Sequence, residues 1–501
     1  MKNLFCILIF TFQSCTYYAL NPPKSKNSSL LDNQLLLFAL IYTINNSSCG
    51  GNGKFWIRDL TSSTGSTYCV DSNLVGSANG AEFYLDKNLN SSILDFSSIV
   101  SEYNNKIYPA LNNAFGSPSD INKDGKVIIL TTDIKDGSTA NSGFVAGFVD
   151  PLNFSKDVQG SVARSNAMEI LYMDGAELIT KRTSALKNGD PDPYLATVAH
   201  EMQHLIRFQY SKGGDATWID EGTSEVSSDL SGYGPQSDRI KCFRGDTSYS
   251  ICSSNPIGIQ GTSPFNWGST LRNYAYSYAF MRYIYLASGS NSTQRNTFLQ
   301  SSVVGINNFR ASTSDGLMEV FKTSSAYINN NGSTALGSNS SSMFTKLFIY
   351  FFGRSQDFTS FSNTDVFIAG SGTDLTSVNT NFPLNYSTYT LPSGITNLRF
   401  LNSTSTAVPT TLSPGTVYLR SGSVSSGSLP STTASYMNSS NGATGYLVMN
   451  PSGSGSNLSG SILSSGEEIE LHEGINCITP NLFIREVRTR SHDHRYLFDK
   501  P

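Results

Sequence analysis

The sequence predicts an α+β protein: a mixed sheet lobe and a helical lobe, with a β-rich region before them and a β-sandwich-like region after. Three observations carry this. Short apolar runs bounded by Asn, Ser and Gly recur as far as Asp174, which is how strands and their turns are written. From Pro193 to about residue 355 apolar side chains recur at helical spacing instead. From about residue 357 Ser, Thr, Gly and Asn dominate while aromatic and β-branched residues persist, which argues for strands and against disorder. At 501 residues, two or three domains with a large core are expected. Only 14% of residues are charged and the net charge is −4. That balance argues against nucleic acid as a partner and against electrostatic membrane binding.

The chain opens on Met1-Lys2, followed by an apolar run to Phe12. A positive start before a short apolar stretch reads as an export signal, too short for a permanent span. Ser14 before Cys15 resembles a lipoprotein signal, with Phe12 where Leu is usual. Residues 1–14 are then the signal and Cys15 the lipidated residue, anchoring the chain to a membrane at the outer surface. Ordinary cleavage into a freely secreted protein is the alternative. Residues 15–30 read as a polar tether.

Residues 31–90 form the β-rich region, with runs at 35–44, 54–58 and 81–85. Ile93 to Phe115 has helical spacing, and Pro109 predicts a break inside it. Asp120, Asn122 and Asp124 with Gly125 match the start of an EF-hand-like loop and suggest a structural calcium ion. Thr131 stands where that loop needs Glu, and Val127–Leu130 reads as a strand. An Asx turn is therefore the competing reading. Further strands are expected at 143–149 and 168–173.

The richest stretch runs from Asp192 to His204. Pro193 opens a helix with Asp192 as its cap. Leu195, Val198, Met202, Leu205 and Ile206 give it a buried face. His200 and His204 stand one turn apart on one side, a spacing that lets two imidazoles grip one zinc ion. Glu201 is then placed as general base. Since the chain has five histidines, chance is a poor explanation for the pair. A third ligand is needed. Arg207 and Tyr210 exclude the variant that has Gly and a third His there, and His472, His492 and His494 are remote. Glu221 is the better candidate, on a second helix that Thr217 and Asp220 would open as a capping box. Glu225, one turn later, is suited to hold the free N–H of a ligand imidazole.

Asn273 to Tyr285 reads as an aromatic helix. Hydrolysis of a peptide needs a donor for the oxyanion, and Tyr276 or Tyr278 is the candidate; core packing is the bland alternative. Helical patterns around 316–322 and 342–352 complete the helical lobe. Residues 357–501 carry strand-like runs at 416–420, 445–449 and 482–485. Of seven cysteines, Cys6 leaves with the signal and Cys15 takes lipid. Cys49–Cys69 and Cys242–Cys252 are the close pairs that suit disulfides, and Cys477 is left over.

His200-Glu201-x-x-His204 followed by Trp218-x-x-Glu221-Gly-x-Ser-Glu225 resembles the thermolysin-like zinc proteases with glutamate as third ligand. Among them it is most similar to the hyicolysin family of bacterial secreted neutral metallopeptidases. Asp120–Val127, Ser165–Asp174 and Tyr274–Tyr285 follow the same family in order, so the resemblance covers about residues 80 to 355. It implies a zinc-metalloprotease catalytic domain at 91–355 and endopeptidase activity on protein or peptide outside the cytoplasm. It also implies that a sheet edge near the metal pairs with the substrate backbone, and Asn166–Tyr172 is the candidate edge. Two other readings remain. One is a non-catalytic surface adhesin on the same fold. The other is an aminopeptidase, for which Asn166–Ile170 is a partial match lacking a Gly and an Asn.

Overall fold

The strands expected at 54–58, 81–85, 127–130, 143–149 and 168–173 form, and with Thr67–Ala78, which was not expected, they build one mixed sheet. The computed structural model describes residues 49–352 except 139–142, 247–249, 255 and 330–335, with 366–369, 412–421, 434–438, 445–453 and 495–498. The signal, Cys15, the tether, the run at 35–44, Cys477 and the three C-terminal histidines lie outside the described residues.

Strands β1 (Lys54–Arg58), β2 (Thr67–Ala78) and β3 (Ala81–Asp86) form an antiparallel ribbon. β3 then pairs in parallel with β4 (Val127–Thr132), and β4 with β6 (Ile170–Asp174). β5 (Phe144–Val149) lies beyond β6 and antiparallel to it. The sheet thus runs continuously across residue 90, where the sequence suggested a boundary. β4, β5 and β6 are buried along their whole length, which explains their unbroken apolar runs. Alternation still sorts their side chains. Ile129, Leu171 and Met173 join the large core under the helices, while Ile128, Leu130, Ile170 and Tyr172 join a smaller cluster on the other face. In β5 the alternation slips: Phe144 and Ala146 face the large core, but Phe148 faces the small one. An extra residue beside Gly147 accounts for the slip.

The region from Ile93 to Phe115 is helical in three pieces. α1 (Phe96–Glu102) passes through a π-helical turn (Tyr103–Ile107) into α2 (Tyr108–Phe115). Pro109 sits in the first turn of α2, where its missing N–H costs nothing, and the wide turn before it absorbs the break. The helical lobe follows: α3 (Glu177–Asn188), α4 (Pro193–Ser211), α5 (Thr217–Leu230), α6 (Ser237–Arg244), α7 (Ser250–Ser253), α8 (Leu271–Ala287), α9 (Ser292–Val304), α10 (Ser314–Phe321), α11 (Ser325–Ile328) and α12 (Ser340–Phe352). Disulfides join Cys49 to Cys69 and Cys242 to Cys252, with Cα atoms 5.5 and 5.1 Å apart.

The loop at Asp120 is closed on itself. Asp120 Oδ1 accepts Gly125 N–H at 3.1 Å, Asp124 Oδ1 accepts Lys126 N–H at 2.8 Å, and Asn122 Nδ2 donates to Asp124 at 2.8 Å. These bonds shape the turn in the Asx-turn manner.

The C-terminal region contributes a four-stranded antiparallel sheet in the order β7 (Val366–Ala369), β9 (Ala434–Asn438), β10 (Gly445–Asn450), β8 (Thr416–Ser421). A sandwich was expected; the described residues give one sheet, and the run at 482–485 lies outside them. This sheet is docked on the helical lobe: Val417 and Met449 enter the main core, and Gly261 N–H donates to Val417 O at 3.0 Å. The last strand, β11 (Arg495–Phe498), leaves that region and pairs with β5, closing the first sheet in the order β1-β2-β3-β4-β6-β5-β11. No helix among the described residues is long and apolar enough to cross a membrane.

Two features set testable stabilities. Asp215 is buried between Arg207 and Arg310, with Arg207 Nε and Arg310 Nη1 each at 2.6 Å. Asp215→Ala leaves two buried guanidinium groups without their carboxylate and should cost about 3–5 kcal/mol in urea unfolding. Asp174 is buried at the end of β6, and burial pushes its carboxyl from 3.8 to about 7 even though Leu178, Ile134 and Ala176 donate N–H groups to it. The folded state therefore holds a proton that the unfolded chain has released. That stabilisation is complete below pH 3.8 and is lost as pH rises through about 7. Thermal unfolding of Asp174→Asn should show a flatter pH dependence across that window.

Candidate metal centre

The α4 helix begins as its sequence dictates. Asp192 caps it, accepting N–H groups from Tyr194 and Leu195, with Pro193 in the first turn. It crosses the sheet beneath β5 at a glycine. A Cβ on Gly147 would lie 2.8 Å from Thr197 Cγ2 and 3.1 Å from Glu201 Cγ, so only glycine lets the strand approach the helix so closely. α5 is bound to α4 by hydroxyls. Ser227 Oγ donates to Ala199 O and Ser228 Oγ to Ala196 O, each at 2.8 Å. Gln203 Nε2 donates to Thr223 Oγ1 at 3.0 Å. On the far side of α5, Gly222 admits α8: a Cβ there would lie 2.9 Å from both Met281 Cβ and Ser277 O.

This packing brings His200, His204 and Glu221 together. The two Nε2 atoms are 3.1 Å apart, and Glu221 Oε2 lies 3.2 Å from His200 Nε2 and 3.5 Å from His204 Nε2. Three ligands at about 2.0–2.1 Å around a tetrahedral zinc stand about 3.3 Å from one another. The triangle has that size, and its corners are the donor types zinc takes. His200, Glu201 and Glu221 are fully buried.

Charge points the same way. Glu201, Asp220, Glu221 and Glu225 are buried around the two rings. Arg239 answers Glu225, with Nε donating to Oε1 at 2.6 Å. Both carboxylate oxygens of Glu201 and Oε1 of Glu221 are buried with no hydrogen-bond partner among the described residues, an expensive arrangement unless something else meets them. Burial raises the Glu201 carboxyl well above its usual value, and it brings Glu221 up to about 8. For His204 burial pulls downward, but Asp220 and Glu221 outweigh it and hold the ring well above its ordinary value. A bound cation meets the same demand that the proton meets here.

Asp220 supplies what the capping-box reading overlooked. The residue before α5 is Ala216, which has no side-chain cap bond, and Thr217 is already helical. Asp220 Oδ1 instead lies 3.1 Å from His204 Nδ1, with Ser224 Oγ 3.2 Å from the same nitrogen. This is the hold on a ligand ring that fixes which nitrogen faces a metal. Glu225 was expected in that role; its Oε1 accepts Arg239 Nε, and for His204 the contact is made by Asp220. The only advance signal was an acid immediately before Glu221.

The two candidate tyrosines are turned elsewhere. Tyr276 Oη donates to Gly415 O at 2.8 Å, anchoring the C-terminal region. Tyr278 Oη donates to Asp229 at 2.9 Å and accepts Gln236 N–H at 3.1 Å. Tyr274, one helical turn before Tyr278, feels Glu221, Glu201 and Glu225. Arg239 lies 4.9 Å over its ring. The expected substrate edge at Asn166–Tyr172 is also interior. β6 lies between β4 and β5, and Asn166 is spent on joining β1, bonding Trp56 N and O at 2.7 Å each.

No protein-family model matches the chain. It is 31% identical over 196 residues to the neutral metalloprotease ShpI of Staphylococcus hyicus, the match covering 37% of this chain and 41% of that protein. The chain thus matches less than half the length of that relative.

Asp220→Ala should weaken zinc binding about 10–100-fold while leaving the three ligands in place. Competition with a chromophoric chelator measures it; unchanged affinity would show that Asp220 is a bystander.

Proposed function

We propose that the protein is a zinc-dependent endopeptidase acting outside the cytoplasm. One observation carries the reading: two imidazole nitrogens and a carboxylate oxygen converge at ligand spacing beside a buried glutamate whose oxygens have no hydrogen-bond partner among the described residues. His200, His204 and Glu221 are the residues that would hold the ion. Zinc held there supplies a Lewis acid that polarises a peptide carbonyl and acidifies water. Glu201 takes the proton from the attacking water and delivers it to the leaving amine. Its environment suits the task, because burial raises its proton affinity. Asp220 keeps His204 oriented, and Tyr274 is better placed than Tyr276 or Tyr278 to donate to the developing oxyanion.

The similarity to a neutral metalloprotease supports metal-dependent proteolysis, and the narrower kinship with hyicolysin-like enzymes belongs to this proposal. So does export, which rests on the Met1–Phe12 pattern and fits the two disulfides. Endopeptidase is preferred to aminopeptidase because Glu169, the acid of the partial aminopeptidase match, is taken by Ser119 Oγ at 2.6 Å and Ile121 N–H at 3.0 Å. An adhesin would have no use for the buried, unpartnered Glu201.

Glu201→Gln should keep stoichiometric zinc and lose casein cleavage by about 10²-fold or more. Chelation should abolish cleavage in the unmutated chain and lower its melting temperature, since the ligand binds only the folded state. Full turnover in Glu201→Gln would remove that residue from the mechanism.

A further inference from the structure

β5 lies against the zinc helix, and its outer side decides what can reach the centre. Without β11 it would be the edge of the sheet on that side. An exposed edge is a template for an extended peptide, because unpaired N–H and C=O groups recur along it. In this chain the edge is taken. β11 pairs with it antiparallel, Arg495 opposite Phe148, Tyr496 opposite Gly147, Leu497 opposite Val145 and Phe498 opposite Phe144. The register shifts between Tyr496 and Leu497, opposite the extra residue Ala146. The centre of this short ladder is therefore Gly147, the point where β5 comes within contact of Thr197 and Glu201. The backbone of Tyr496 runs one strand spacing, about 4.8 Å, beyond it.

We propose that the chain's own Arg495–Phe498 strand is an internal competitor that holds the outer edge of β5 against an extended peptide substrate. The proposal rests on the endopeptidase reading and adds its regulation. Three features support it. The strand comes from the far end of the chain and joins the sheet beyond a separate β region. It runs antiparallel to β5, so it fills the bonding positions that a peptide would use. It is four residues long, so few ladder bonds oppose its replacement. Substrate, or removal of the C-terminus, then exposes the edge.

The test compares the full chain with a chain ending at residue 494, both carrying Glu201→Gln so that nothing is cleaved. The probe is a fluorescent synthetic peptide of residues 492–501. The shortened chain should bind it at least 10-fold more tightly, and amide exchange at 144–148 should speed up once the strand is removed and slow again with peptide. With Glu201 restored, the shortened chain should cleave casein at least 10-fold faster, and the peptide should inhibit it competitively. Tyr496→Pro with Leu497→Pro in the full chain covers the case in which truncation impairs folding. Consecutive residues point their N–H groups to opposite sides, so the pair removes a donor from the ladder whichever one faces β5. Equal peptide binding and equal exchange in all forms overturn the proposal, whatever the activity. Binding and exchange that change as expected, with zinc present and no cleavage by any form, uphold the edge and overturn the endopeptidase reading instead.

Discussion

The structure depends on keeping an excess of buried negative charge next to two imidazoles. Glu201, Asp220, Glu221 and Glu225 are all withdrawn from water around His200 and His204. Such a cluster is tolerable only if cations answer it and if neither helix can slip. The chain meets both conditions locally. Arg239 takes Glu225, Asp220 takes the outer nitrogen of His204, and serine hydroxyls lock α5 to the carbonyls of α4. What is left over, Glu201 and the free oxygen of Glu221, is the part that chemistry can use. The sheet serves the same end, because Gly147 brings a strand backbone against that leftover acid.

Much of the centre was legible in the sequence because it obeys local rules. The helical pitch alone puts His200 and His204 on one side, and Asp192-Pro193 announces where the helix starts. Glu221 followed from needing a third ligand on the next helix. The close cysteine pairs bridge as their spacing suggested. The described strands before residue 175 were found by composition except β2, whose faces are mostly open, and the covered faces of β4, β5 and β6 explain why those three looked uniformly apolar.

What was not legible depends on which surfaces meet. The aromatic helix α8 is buried almost all round, so no stripe distinguishes Tyr274 from Tyr276 or Tyr278; only the packing at Gly222 decides. Asp220 fits a capping pattern as readily as a ring contact, and the pattern cannot tell that Thr217 already lies inside the helix. The order β4-β6-β5-β11 reverses β5 and β6 relative to the chain, so the strand nearest in sequence to α4 is interior and the earlier one lies beyond it, beside β11. A strand joined from residues 495–498 has no local signature at all.

Arg207 has a wider meaning. It stands where zinc proteases with three histidines have a glycine that lets the chain turn toward their last ligand. Here the side chain is fully buried, and its guanidinium spans Asp215 and the carbonyl of Ala311. Continuing the helix past His204 and setting a carboxylate of the following helix beside the two imidazoles are thus one architectural choice. A lineage could not trade glutamate for a third histidine by changing the ligand alone; it would also have to dismantle the salt-bridged junction that Arg207 organises. The kind of third donor beside the two imidazoles is therefore tied to the framework around Arg207.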